Sequence, residues 1–219
     1  MTGRFALTHA PDEVRDWFGY VEEPDFPPRY NIAPSQPVAV VHADFTARHF
    51  TQMRRGFITA FIRDTAAYPV LINIRSETAQ EKPSFRAAFM RRRCVLPADG
   101  FYQWQANGRA RQPFLLRRPD RGLFAIAGIW ETWLGTDGSE IDTVGMLTTD
   151  ANGTLAAVGE RSPVLIERES MAFWLDPRTR PADAAALLRP PSDGVLELVR
   201  IGPHVNRTEN DGPEVQETA

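Results

Sequence analysis

Residues able to do chemistry crowd into one stretch of this 219-residue chain, Ser84 to Trp104, SFRAAFMRRRCVLPADGFYQW. Arg91, Arg92 and Arg93 close a short apolar-periodic segment (Phe85, Ala88, Phe89) that suits a two-turn helix. Cations at a helix carboxyl end complement its partial negative charge. Cys94 to Leu96 reads as a buried strand, with Cys94 a packed residue and not a nucleophile. Pro97, Asp99 and Gly100 suit a turn, and Phe101 to Trp104 a second strand carrying Gln103. Guanidinium groups beside such a turn could grip phosphates through planar, bidentate contacts. The same pattern fits a solvated helix end followed by a hairpin. Asn73 is polar between two isoleucines, and Arg75 shares its face by the two-residue period of a strand. Such an asparagine is either hydrogen-bonded core or a site residue. Lys82 is the one lysine, so imine chemistry falls to it or to the chain's α-amine.

The elements that must position these groups are mostly short strands. Strands are predicted over Val38–His42, Arg48–Gln52, Val70–Ile74, Pro113–Leu116, Leu123–Ile129, Thr143–Thr149 and Val195–Val199. A helix is predicted over Pro11–Phe18, with proline in its first turn, Asp12 and Glu13 complementing its dipole, and Gly19 stopping it. Further helices suit Glu167–Leu175 and Pro181–Leu188, and a loop suits Arg63–Ala67. No long polar linker or repeat divides the chain, so residues 1–219 read as a single α+β domain. Its β core is expected to be curled or barrel-like, with flanking helices. The polar tail from about Gly202 is expected on the surface, its last residues disordered.

Composition narrows the function classes. Charged residues make up 24% and hydrophobic residues 42%, ordinary for a globular protein, and the net charge of −3 does not announce nucleic acid. No apolar run approaches the ~20 residues of a membrane helix, and no secretory signal is visible. One cysteine excludes an internal disulfide framework and a cysteine-based zinc site. These features point to the cytoplasm, without a membrane partner. His9, His42, His49 and His204 lack metal-ligand spacing, and no phosphate-binding glycine loop or G-x-S-x-G elbow is present. No metal or cofactor is expected.

Nine strings in fixed order over nearly the whole chain carry a specific likeness. They are GRF at Gly3, RYNIAP at Arg29, N-x-R-S-E-T at Asn73 and SFR…RRC-V-L-P-A-D-G-F-Y-x-W from Ser84. FAIAGIWE at Phe124, LTTDAN at Leu147, R-x-P-V-L at Arg161, WLDP at Trp174 and NDGPE at Asn210 complete the set. With these the chain resembles the SRAP family (SOS-response-associated peptidase), the abasic-site processing proteins.

The resemblance implies a monomeric α+β domain with a mostly antiparallel barrel-like core and a groove for single-stranded DNA, nucleoid-associated when bound. It also implies a site built from the mature N-terminal residue, a strand asparagine, a glutamate and a histidine. In the family an N-terminal cysteine forms an imine and then a thiazolidine with the abasic aldehyde. Here those four positions are Thr2, Asn73, Gln103 and Gly159, three of them substituted. A tryptophan usual in the W-G-[FIL] string is replaced by Arg55. Arg4, Arg75 and Arg161 match family arginines, and Arg91 and Arg92 join them as expected DNA contacts. The expectation is a degenerate member that binds single-stranded or abasic DNA with weakened or no crosslinking. The alternatives are an imine-forming enzyme using the Thr2 α-amine, whose ordinary pKa near ~8 leaves some neutral amine, and a scaffold repurposed for a non-DNA ligand.

Overall fold

The computed structural model describes residues 3–62, 70–108 and 110–219. In chain order it has β1 (Arg4–Leu7), α1 (Pro11–Phe18), β2 (Arg29–Ile32), β3 (Pro37–Ala43), β4 (Arg48–Arg55), β5 (Asn73–Arg75), α2 (Ser76–Ala79) and α3 (Pro83–Arg91). Then come β6 (Arg93–Ala98), β7 (Gly100–Asn107), β8 (Ala110–Arg117), β9 (Phe124–Leu134), β10 (Glu140–Asp150), α4 (Gly153–Ala156) and β11 (Arg161–Pro163). The chain ends with β12 (Leu165–Ile166), α5 (Arg168–Leu175), α6 (Pro181–Ala185), β13 (Glu197–Arg200) and two 3-10 turns, Pro203–Asn206 and Pro213–Gln216.

The architecture is α+β, as the strand-rich pattern predicts. One sheet runs β13-β8-β7-β1-β2 and is antiparallel throughout. In the other, β10, β4, β3, β6 and β9 pair in succession and β9 pairs back onto β10, which closes a five-stranded barrel. Its pairings are antiparallel except that between β10 and β4. Closure at this size leaves little interior room. A Cβ on Gly128 would lie 2.7 Å from Leu96 Cδ1, and one on Gly145 would lie 2.5 Å from Ile74 Cδ1. The core joins the barrel to the first sheet and takes in Phe5, Val41, Phe89, Leu96, Ile126 and Trp174.

Four expectations need correction. Pro97 to Gly100 do not close a hairpin: β6 belongs to the barrel and β7 to the other sheet, and Asp99 lies between them, its N–H donating to Ala6 O at 3.0 Å. A hairpin would leave both strands in one sheet; here burial of both apolar faces requires the chain to switch layers. The strand expected over Val70–Ile74 is shorter and later, at Asn73–Arg75, where β10 offers a free edge. The last helix stops at Ala185, short of Leu188. The tail is not a loose surface segment. Val205 and Val215 are fully buried against Tyr102 and Leu115, and Asp211 accepts the backbone N–H groups of Tyr30 and Asn31 at 2.7 Å each and pairs with Arg29. Two apolar anchors in an otherwise polar stretch are enough to hold it. The loop expected over Arg63–Ala67 lies outside the described residues.

Candidate functional site

The expected site residues come from different strands, and the two-layer arrangement brings several together. On β7, Phe101 and Gln103 share one face by strand alternation. Phe101 pairs with Phe5 of β1, and both are core. Gln103 is therefore driven inward with them and is only 3% exposed. A buried amide must find partners, and Gln103 Nε2 donates to Arg161 O at 2.8 Å. Its tip lies against Gly159, where a Cβ would come within 3.2 Å of Gln103 Oε1 and 3.3 Å of Cδ. The amide thus fills space that a side chain at 159 would need. Two positions distant in sequence, each departing from the family pattern, turn out to be packing partners.

Arg161 on β11 ties this pair to the other edge of the site. Its guanidinium makes a bidentate pair with Glu77 (2.7 and 2.8 Å), reaches Asp150 Oδ1 at 2.5 Å and donates to Thr148 O at 2.7 Å. The Glu77 hydrogen bonds raise the arginine's affinity for its proton and hold the Glu77 carboxyl below its ordinary range. Thr148 in turn pairs in parallel register with Arg75 of β5, and Met146 with Asn73. Arg161, Gln103 and Gly159 are thus in contact, and Arg75 and Asn73 of β5 lie along the adjoining edge of β10.

The other arginines divide. Arg75 is exposed, at the boundary of β5 and α2. Arg4 alternates to the opposite face of β1 from Phe5. Its guanidinium donates to the carbonyls of Val205 and Asn206 and to Asn31 Oδ1, and it lies 5.9 Å from the Trp104 ring centroid. It clamps the tail, and burial lowers its pKa. The run expected to act together is split. Arg91 is exposed. Arg92 pairs with Glu131 at 2.9 Å over the Trp130 ring. Arg93 is buried, donating to the carbonyls of Phe89, Trp174 and Asp176. Three successive residues crossing from a helix end into a strand cannot share one direction. Thr2, the expected nucleophile position, lies outside the described residues.

One residue of the neighbourhood carried no role in the sequence reading. Arg55, at the end of β4, is 1% exposed, with Nη1 donating to Gly3 O at 2.5 Å and Ile32 O at 3.3 Å. Its guanidinium lies 5.0 Å from the Phe5 ring centroid. Burial, with a smaller contribution from Arg4, pulls its pKa down to about 9. The signal that could have found it is an arginine where the family string places tryptophan.

A cavity of about 390 Å³ lined by His9, Glu13, Trp17, Arg118 and Arg168 lies beyond the Leu7 end of β1. It shares no residue with the site residues named above and mixes both charge signs. Among the described residues, no three of His, Cys, Asp and Glu form a group able to hold a metal ion.

Comparison with known proteins identifies the family. Residues 1–208 match the family described as SOS response associated peptidase (SRAP). The abasic site processing protein YoqW of Bacillus subtilis (strain 168) is 32% identical over 223 residues, covering 100% of both chains. The abasic site processing protein HMCES of Xenopus tropicalis is 26% identical and spans 98% of this chain and 77% of its own. Among solved structures, a protein from Bacteroides thetaiotaomicron superposes with a TM-score of 0.89 at 23% identity, covering 99% of each chain. One from Bordetella bronchiseptica gives 0.80 at 23% identity, over 92% of this chain and 100% of that one.

Proposed function

We propose, because this chain belongs to the SOS response associated peptidase family, that it binds single-stranded DNA at abasic sites and forms no durable crosslink there. The observation that carries this reading is the packing of Gln103 against Gly159. Glutamine cannot exchange a proton as an acid or base, and glycine offers no titratable group. The amide is engaged instead in holding the Arg161 carbonyl. Thr2 replaces a thiol by a hydroxyl, whose alkoxide is inaccessible near neutral pH. The parts that hold a strand are kept while the parts that move protons are replaced by packing.

Binding falls first to Arg75, which is exposed and borders Asn73. Both terminal nitrogens of Arg161 are taken up by Glu77, Asp150 and Thr148, so it acts by fixing the geometry of Thr148 and Gln103 rather than by meeting phosphate directly. A second reading, transient imine formation by the Thr2 α-amine, is favoured by one contact. The carbonyl of Gly3, next in sequence to Thr2, is held by Arg55.

The test is incubation of the full chain with abasic single-stranded DNA, with and without borohydride, followed by native and denaturing gels. Salt-sensitive binding without a heat-stable adduct supports the first reading. An adduct seen only after borohydride moves the function to the second, and a heat-stable adduct without reductant overturns the first. Absence of any binding to single-stranded DNA removes both.

A further inference from the structure

Among the described residues, the buried charge of Arg55 has no counterion. Its Nη1 is occupied by the Gly3 and Ile32 carbonyls, but Nε and Nη2, the edge that makes side-on bidentate contacts, are buried and have no hydrogen-bond partner. Among the described residues no carboxylate pairs with it, and the charge it feels most is that of Arg4, of the same sign. A desolvated cation without a counterion is unfavourable, and an arriving anion recovers that cost in a low-dielectric setting. Carbonyls on one edge and an unpartnered fork on the other describe a guanidinium already oriented for a two-oxygen anion.

Its location fits such a ligand. Arg55 pairs with Val144 of β10, and Asn73 and Arg75 pair with Met146 and Thr148. Positions two apart on a strand share a face, so Arg55, Asn73 and Arg75 form a row along one edge of β10. The fork is buried, so contact with a bound strand requires local displacement of the chain that covers it.

We propose that Arg55 is an oxyanion-binding residue at the floor of the site, taking two oxygens of one phosphodiester of the bound strand in a side-on contact. This rests on the single-stranded DNA reading above, although the phosphate chemistry is shared by free inorganic phosphate, and the experiment separates the two sources. The full chain is titrated with an oligothymidine, and separately with inorganic phosphate, while the slowly exchanging arginine Nε–H signals are followed by nuclear magnetic resonance. The Arg55 signal is identified by its loss in Arg55→Lys and Arg55→Met. In parallel, oligothymidine affinity is measured against salt for wild type and both variants.

The expected result is a shift of the Arg55 signal with the oligonucleotide. Arg55→Met should weaken binding by about 10–100-fold, as loss of a charge-assisted contact implies, and lower the slope of log K against log salt by about 0.7, one phosphate of a single strand. Arg55→Lys should keep most of the slope and lose affinity. An unmoved Arg55 signal at saturating oligonucleotide overturns the proposal while leaving the DNA reading intact. A signal that moves with phosphate in a protein that ignores DNA sinks the DNA reading and relocates the site to a small phosphate ligand. Should one variant fail to fold, the other identifies the signal and its shift in the wild type decides.

Discussion

At the residue scale, one buried side chain packs against backbone from two positions. Gln103 donates to the Arg161 carbonyl and occupies the volume beside Gly159, so reinstating either family residue alone should be costly. Gln103→Glu sets a carboxylate against a carbonyl oxygen. It should cost about 1–3 kcal/mol at pH 7, and the cost should shrink as pH falls and the raised carboxyl takes up a proton. Gly159→His must displace the amide and should cost about 1–3 kcal/mol by overpacking. Urea denaturation of the two single variants and of the pair gives the coupling; strict additivity would contradict the contact. Cys94 gives a simpler expectation. It is fully buried, and burial pushes its thiol well above the ordinary range. A thiol reagent at pH 8 should leave the native protein unlabelled and modify it only on unfolding; rapid native labelling would refute this.

At the scale of elements, the junction of α2 with β11 depends on one ion pair. Glu77 opens α2, and Arg161 lies on β11, 84 positions later. The Arg161 hydrogen bonds hold the folded Glu77 carboxyl below its unfolded value of 4.5. The sign follows from linkage: the stabilisation is fully present above that value and disappears as pH falls through the depressed folded one. Wild type should therefore be more stable than Glu77→Gln at pH 7, and the gap should close on acidification. Denaturation midpoints at pH 7 and pH 3 measure it; a gap that widens in acid would exclude this role. Arg161 also holds Asp150 and Thr148 O and carries the carbonyl that Gln103 meets, so the same variant should also loosen Gln103.

At the scale of the molecule, the C-terminal tail is part of the fold that carries the site. Val205 and Val215 are fully buried, Asn31 Nδ2 donates to Arg207 O and Asn210 O at 2.9 and 2.8 Å, and Arg4 grips the first 3-10 turn. Each buried valine contributes about 1.5–3 kcal/mol, so deleting residues 203–219 should cost roughly 3–6 kcal/mol before the polar contacts are counted. Thermal or urea unfolding checks this. A truncated protein as stable as the full chain would show the tail to be dispensable. Because β1 lies between β7 and β2 and is held by Arg4 to the tail, the truncation should also displace Gly3 and weaken binding.

Local pattern determined much of this protein. Alternation and turn residues marked most strands of the barrel but not β1, β2 or β11; proline and Gly19 bounded the first helix, and the ordered strings named the family and the positions where it departs. Those are properties of short windows, in which periodicity and backbone preference are expressed directly. Tertiary structure alone decided which side chains meet. Arg4, Arg75, Arg91, Arg92 and Arg161 read alike in sequence, yet one clamps the tail, two are exposed, one pairs with Glu131 over a tryptophan, and one is locked between Glu77 and Asp150. Arg55, a substitution in one string, became the most deeply buried cation of the site's neighbourhood. Burial and pairing depend on partners tens of residues away, brought close only when a barrel closes and a second sheet packs on it, and no local window contains them.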